Sequence, residues 1–222
     1  MSNKNTAGQN HKSSIVNRMN RKSKIKSFMK NKNLLLLSVT LTWLISCGGD
    51  ETADTTYQDL MTQGWVFFDN AQYDSALSRF TSARDYNIEP SDAYTARGWC
   101  FMKLDNLSSA ASEFTIASNA LDPAAELYAG WAFTLNAQKN YVSSNTQASQ
   151  ALLAAPNWIF PHALNLNADH LHLLKAENYF ALGDYTNSLL EVNNLTSFSV
   201  DVSTSGGQAA LAAKIEQLKT TL

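Results

Sequence analysis

The sequence has only two cysteines in 222 residues. Cys47 follows an apolar run, which leaves Cys100 alone in the rest of the chain. One cysteine closes no internal disulfide, so the body must be held by a hydrophobic core. Catalytic spacings are missing as well. There is no G-x-S-x-G, H-E-x-x-H, glycine-rich phosphate loop or C-x-x-C, and lone carboxylates are scattered without pairing. Basic residues are scarce after the N-terminal region. Residues 1–33 carry nine Lys and Arg and no acid, while the segment from residue 47 carries eight against all 19 acids, a net charge of −11. No long apolar run is present either. Residues 34–45 are the best candidate, and they fall short of the roughly 20 residues that span a bilayer.

What is present at the N-terminus reads as an export signal over residues 1–46: a basic lead, then the apolar stretch. Nucleic-acid binding is the other reading of a basic block. It is set aside because no folded domain accompanies the block and export would remove it. The stretch ends in Leu44-Ile45-Ser46-Cys47. That ending resembles the bacterial lipoprotein signal (lipobox), which implies cleavage before Cys47 and lipid on its thiol. Met29-Lys30-Asn31-Lys32 and the leucines after it form a compact signal by themselves, so Met29 and Met19 are alternative starts. Residues 47–56 are small, polar and acidic, and are expected to form a flexible tether of at most about 30 Å. Gly48 follows the cysteine where an aspartate would mark inner-membrane retention. The resemblance therefore implies a lipid anchor in the bacterial cell envelope, at the outer membrane, with the leaflet open.

The body, residues 57–222, has an internal period. Gly64-Trp65-Val66-Phe67 returns as Gly98-Trp99-Cys100-Phe101 after 34 residues and as Gly130-Trp131-Ala132-Phe133 after 32 more. Gly64/Gly98, Phe67/Phe101, Ala76/Ala110 and Phe80/Phe114 are each 34 apart. Apolar residues at three- and four-residue spacing surround each motif, which predicts paired amphipathic helices. The units fall at about 57–90, 91–123, 124–156 and 168–195. The first three end near Pro90, Pro123 and Pro156. The third unit's turn reads as about two residues longer. Residues 157–167 are an insertion whose alternating apolar residues permit a short hairpin or a packed elbow. Residues 196–205 read as irregular, and 208–220 as a helix that caps the apolar end of the array.

These repeats resemble the tetratricopeptide repeat (TPR). The resemblance implies an all-α fold, an α-solenoid of about four helix-turn-helix units. It implies that the small residue, Gly64, Gly98 or Gly130, lets helices approach, and that the residue after it faces a concave groove. Trp65, Trp99 and Trp131 would then form a ladder, with Glu177 as its counterpart in unit four. Phe68, Met102, Thr134 and Phe180 would lie one turn further on. A carboxylate-clamp groove needs basic residues, and few are available. Two outcomes stay open: a groove that takes an apolar or amphipathic peptide, or tryptophans buried by the insertion or the last helix.

No metal site or cofactor is expected. His170 and His172 lie two apart on a helix and point about 200° apart; pairing either with His162 is the weaker reading. Cys100 reads as a small buried hydrophobe. The expectation is a non-enzymatic, membrane-anchored scaffold that binds an envelope protein. Similar lipoproteins assist outer-membrane protein assembly, pilus secretin assembly or cell-wall enzyme recruitment. The alternative is a small-molecule or glycan module that stacks sugars on the tryptophans.

Overall fold

The structure is a computed structural model. It describes residues 51–86 and 90–222, with side chains from Thr56 onward. The chain divides into two units, Met1–Ser46 and Cys47–Leu222. The described residues all belong to the second, so the signal segment and Cys47 lie outside them.

Nine helices are formed among the described residues. Four antiparallel pairs come first: α1 Glu51–Asp69 with α2 Tyr73–Arg84, α3 Ser91–Lys103 with α4 Leu107–Ala117, α5 Ala125–Ala137 with α6 Tyr141–Ala154, and α7 Ala168–Ala181 with α8 Tyr185–Leu195. A last helix, α9 Ser205–Thr221, packs on α7 and α8. The fold is an all-α solenoid with a C-terminal helix on its end. Two expected boundaries move. Helix α1 starts at Glu51, so residues 51–56 are helical rather than tether. Helix α9 starts at Ser205, three residues early, because Thr204 caps it by accepting from the Gly207 N–H. Gly207 must be glycine there, since a Cβ would meet the Asp201 carbonyl oxygen.

The turn inside each pair is built the same way. Ala71, Asp105, Lys139 and Gly183 all have positive φ, between 56° and 75°. The next residue caps the second helix, which starts one residue later. Asn106, Asn140 and Asp184 each accept from the backbone N–H three residues on, which satisfies one of the four free donors at a helix start. Gln72 makes no such bond.

This turn corrects the register of the third repeat. Ala71, Asp105 and Lys139 are spaced by 34 throughout, so the third turn is no longer than the others. The Gly-Trp-x-Phe motif has instead moved two residues earlier within α5. Ser144 Oγ donates to the Ala132 carbonyl and Ser188 Oγ to the Ala176 carbonyl, both at 2.8 Å. Ala132, not Gly130, is therefore the counterpart of Gly98 and Ala176. A shift of two residues turns a side chain by about 200° around the helix.

The glycines permit close packing as expected, with a difference in the third. A Cβ on Gly64 would lie 2.3 Å from the Phe80 ring, and one on Gly98 would lie 2.6 Å from Phe114. Gly130 instead sits against Phe114 and Trp99 of the preceding repeat, at 2.5 and 2.7 Å. Its role is between repeats. The main core runs from Tyr57 to Leu174 through the first three repeats, the insertion and the first half of α7; a second core joins α7, α8 and α9 around Ala176, Val192, Leu211 and Ile215.

Candidate binding face

The first helices of the pairs line up to form an inner face. Trp65 and Trp99 occupy equivalent places on it, and the insertion lies directly over them. The insertion closes as a hairpin-like loop. The Phe160 N–H donates to the Leu166 carbonyl and the Ala168 N–H to the Trp158 carbonyl, both at 2.8 Å, around an antiparallel bridge of Ile159 with Asn167. Alternation turns Trp158 and Phe160 inward while Ile159 stays exposed.

Phe160 stacks on Trp99, with centroids 4.2 Å apart. His162 stacks on Trp65 at 3.6 Å and 10°. The loop is pinned from below by Asp69, which accepts from the Ala163 N–H at 3.0 Å and lies 3.4 Å from His162 Nδ1. Burial holds His162 below its usual pKa, against the opposing pull of Asp69 and Glu126.

The tryptophans therefore divide. Trp99 is 0% exposed, and its Nε1 donates to the Glu126 carbonyl at 3.1 Å. It offers no surface to a partner, and neither does Phe68, at 1% exposed. Of the two outcomes left open by the sequence, burial under the insertion is the one found for Trp99, and Phe68, placed one turn along the same face, is covered by Phe160 and His162 as well. Trp131 is off the inner face altogether. Its register equivalents are Arg97 and Lys175, which sit on the seam between the helices of their own repeats. There Arg97 pairs with Glu113 at 2.8 Å and Lys175 with Glu191 at 2.6 Å. Phe133 takes the place that Trp131 was expected to fill, with its ring 6.4 Å from Trp99. Trp65 and Met102 are partly buried.

Among the described residues, basins open at either end of the array. The N-terminal basin, about 320 Å³, is lined by Tyr57, Met61, Trp65, Thr95 and Phe160, with Asp92, Glu126 and His162 at its polar side. The C-terminal basin, about 380 Å³, lies between α5, α7 and α9 and includes Asn136, Lys139, Glu177, Phe180 and Lys219. Glu177 is already engaged by Lys219 at 3.0 Å. That pairing was invisible in the sequence, because it depends on where α9 docks. The insertion, left open in the sequence as one possible cover for the tryptophans, supplies the floor of the first basin through Phe160. Its aromatic spacing, Trp158 and Phe160, was the available signal.

Burial pushes the Cys100 thiol up to about 12, so it has little thiolate to react with. Among the described residues no group of three or more His, Cys, Asp or Glu is placed to hold a metal. His170 instead forms a capping box with Asn167, and His172 lies 2.8 Å from Glu191. No described helix is long and apolar enough to cross a membrane.

No family model matches the chain, and no curated protein matches its sequence. Solved structures do match in fold. A tetratricopeptide repeat protein from Parabacteroides merdae is 14% identical with a TM-score of 0.53, over 75% of this chain and 61% of that one. MamA is 12% identical with a TM-score of 0.53, over 77% and 85%. The first TPR of Spaghetti (RPAP3), bound to the HSP90 peptide SRMEEVD, is 16% identical with a TM-score of 0.50, over 58% and 94%. At such identities the likeness is one of fold. The chain has a TPR-like fold, an all-α solenoid, with a loop folded onto its inner face.

Proposed function

We propose that the protein is a lipid-anchored scaffold of the bacterial envelope that binds a partner through the inner face of its repeats. The observation that carries this reading is the open N-terminal basin. Part of the aromatic surface around Trp65 is left beside the insertion, on a fold that presents such faces for contact. Partly exposed aromatics beside a concavity are favoured anchors. The anchor rests on the lipobox-like ending at Cys47. With α1 starting at Glu51, only residues 47–50 separate it from the helix, a reach of at most about 14 Å. The basin formed by the middle of α1 and the first turns of α3 and α5 would then sit close to the membrane.

The Spaghetti domain holds an acidic peptide. The N-terminal basin here presents carboxylates, so a partner of that charge is disfavoured. The alternative, stacking of a sugar on a tryptophan ladder, has less to support it: Trp99 is buried, Trp131 faces elsewhere, and His162 already occupies a face of Trp65.

Two measurements test the proposal. Labelling with a palmitate analogue should tag the wild-type chain, and Cys47→Ser should abolish the tag; an unlabelled wild type removes the anchor. Photo-cross-linking from Thr62 in intact cells should trap one reproducible envelope protein. Trp65→Ala should weaken that product at least about tenfold. Unchanged trapping would remove the inner face from the account.

A further inference from the structure

The N-terminal basin has a one-sided chemistry. Its floor is apolar, made by Met61, Trp65 and Phe160. Its rim carries two carboxylates, Asp92 and Glu126, each in the first turn of its helix. No Lys or Arg lines it, and among the described residues neither carboxylate takes part in an ion pair. Glu126 is partly buried and near enough to His162 to act on its charge. His162 does not neutralise the rim, because burial favours its uncharged form.

Resting on the scaffold reading, we propose that this basin seats a lysine or arginine side chain carried by an extended, otherwise apolar segment of a partner protein. Three observations select that occupant. A carboxylate drawn toward a low-dielectric floor gains most from a charged donor, whose hydrogen bonds are about twice as strong as neutral ones. Lysine and arginine are also the side chains that lay an aliphatic stem on apolar surface and keep a charged head at its edge, which matches floor and rim. Size sets the third limit. About 320 Å³ is at the small end of ligand pockets, which run roughly 300–1,000 Å³. It holds a side chain and its flanking backbone, and it is too small for a helix. The C-terminal basin lacks this selectivity, since Lys219 already satisfies Glu177 and Lys139 adds a further positive charge.

The test uses the chain from residue 47 onward and blocked peptides of sequence Ala-Leu-Arg-Leu-Ala, with the arginine kept, replaced by citrulline, or replaced by glutamate. Citrulline keeps the shape and removes the charge, so the comparison leaves the protein untouched. Binding is read from the Trp65 indole N–H signal by NMR. The arginine peptide should shift that signal and bind at least about tenfold more tightly than the citrulline peptide at low salt. The glutamate peptide should bind most weakly. Asp92→Asn with Glu126→Gln should bring arginine down to the citrulline level without changing the melting temperature.

Equal affinity for arginine and citrulline overturns the proposal, as does no arginine binding at millimolar peptide. N-acetylargininamide binding as tightly as the peptide overturns the segment and leaves a small-molecule site. The same double variant, cross-linked in cells from Thr62, separates this inference from the scaffold reading. A partner trapped undiminished by the variant means that the scaffold stands and the cationic anchor falls. Arginine selectivity with no partner trapped by the wild type means the reverse.

Discussion

Repeats one and two differ from repeats three and four in what fills the space between them. In the first half, rings do it. Phe80 and Phe114 press on Gly64 and Gly98, and Trp99 is closed over by Phe160. In the second half, amides do it. Asn178 is fully buried, accepts from Asn136 Nδ2 at 2.7 Å, and donates to Ser144 and Asn145 at 2.9 Å each. Ala148 stands where Phe80 and Phe114 stand in their repeats, so no ring is available there. The backbone frame is the same in both halves, with the same turn and the same 34-residue step from the first pair to the third. The difference lies in directionality. Rings tolerate the loop of residues 157–167 laid across them, because apolar contact does not specify a partner. An amide network fixes its partners by direction, and this one leaves Asn145 Nδ2 buried without a partner.

Breaking each half should show this difference. Trp99→Ala should have the largest effect, about 3–5 kcal/mol in urea unfolding, because a fully buried ring leaves a cavity. A loss below about 1 kcal/mol would mean that the insertion does not seal it. Asn178→Ala comes next, at about 2–3 kcal/mol, since Asn145 Oδ1 loses its donor and Ser144 keeps only its bond to the Ala132 carbonyl. Trp131→Ala should cost only about 1–2 kcal/mol, as expected for a partly buried seam residue. A loss equal to that of Trp99 would restore the ladder. Ala71→Gly should stabilise by about 0.5 kcal/mol, because φ is 56° there and glycine carries no Cβ penalty.

The smallest effect is one of pH. Burial sets the folded pKa of His162 below 6.5, so the unfolded chain takes up the proton first. The neutral form's contribution is fully present above pH 6.5 and is lost as pH falls through 6.5 toward the folded value. His170 is lowered in the same sense. His162→Phe should therefore flatten only part of the slope of melting temperature between pH 7 and 5.5. An unchanged slope would place His162 off the Trp65 ring.

Much of the frame was legible in the sequence. Helix pairing, the period, the insertion and the last helix all follow from apolar spacing and repeated motifs. Register in the third repeat did not follow, because Gly130-Trp131-Ala132-Phe133 repeats the letters of the motif and not its place. The turn held the better ruler. Ala71-Gln72, Asp105-Asn106 and Lys139-Asn140 keep the 34-residue step, but without glycine at the left-handed position they carry a weak turn signal. Burial of Trp99 was open for a different reason. It depends on the insertion folding back over the repeat two before it, a contact between residues far apart in the chain. Local periodicity does not encode such a contact.

The insertion occupies the inner face by packing Phe160 on Trp99. A double-mutant cycle with Trp99→Leu and Phe160→Leu, followed by urea unfolding, tests it most directly. Stacked rings 4.2 Å apart should give a coupling energy of about 0.5–1.5 kcal/mol. Additive effects, with a coupling indistinguishable from zero, would contradict the account and leave the groove open.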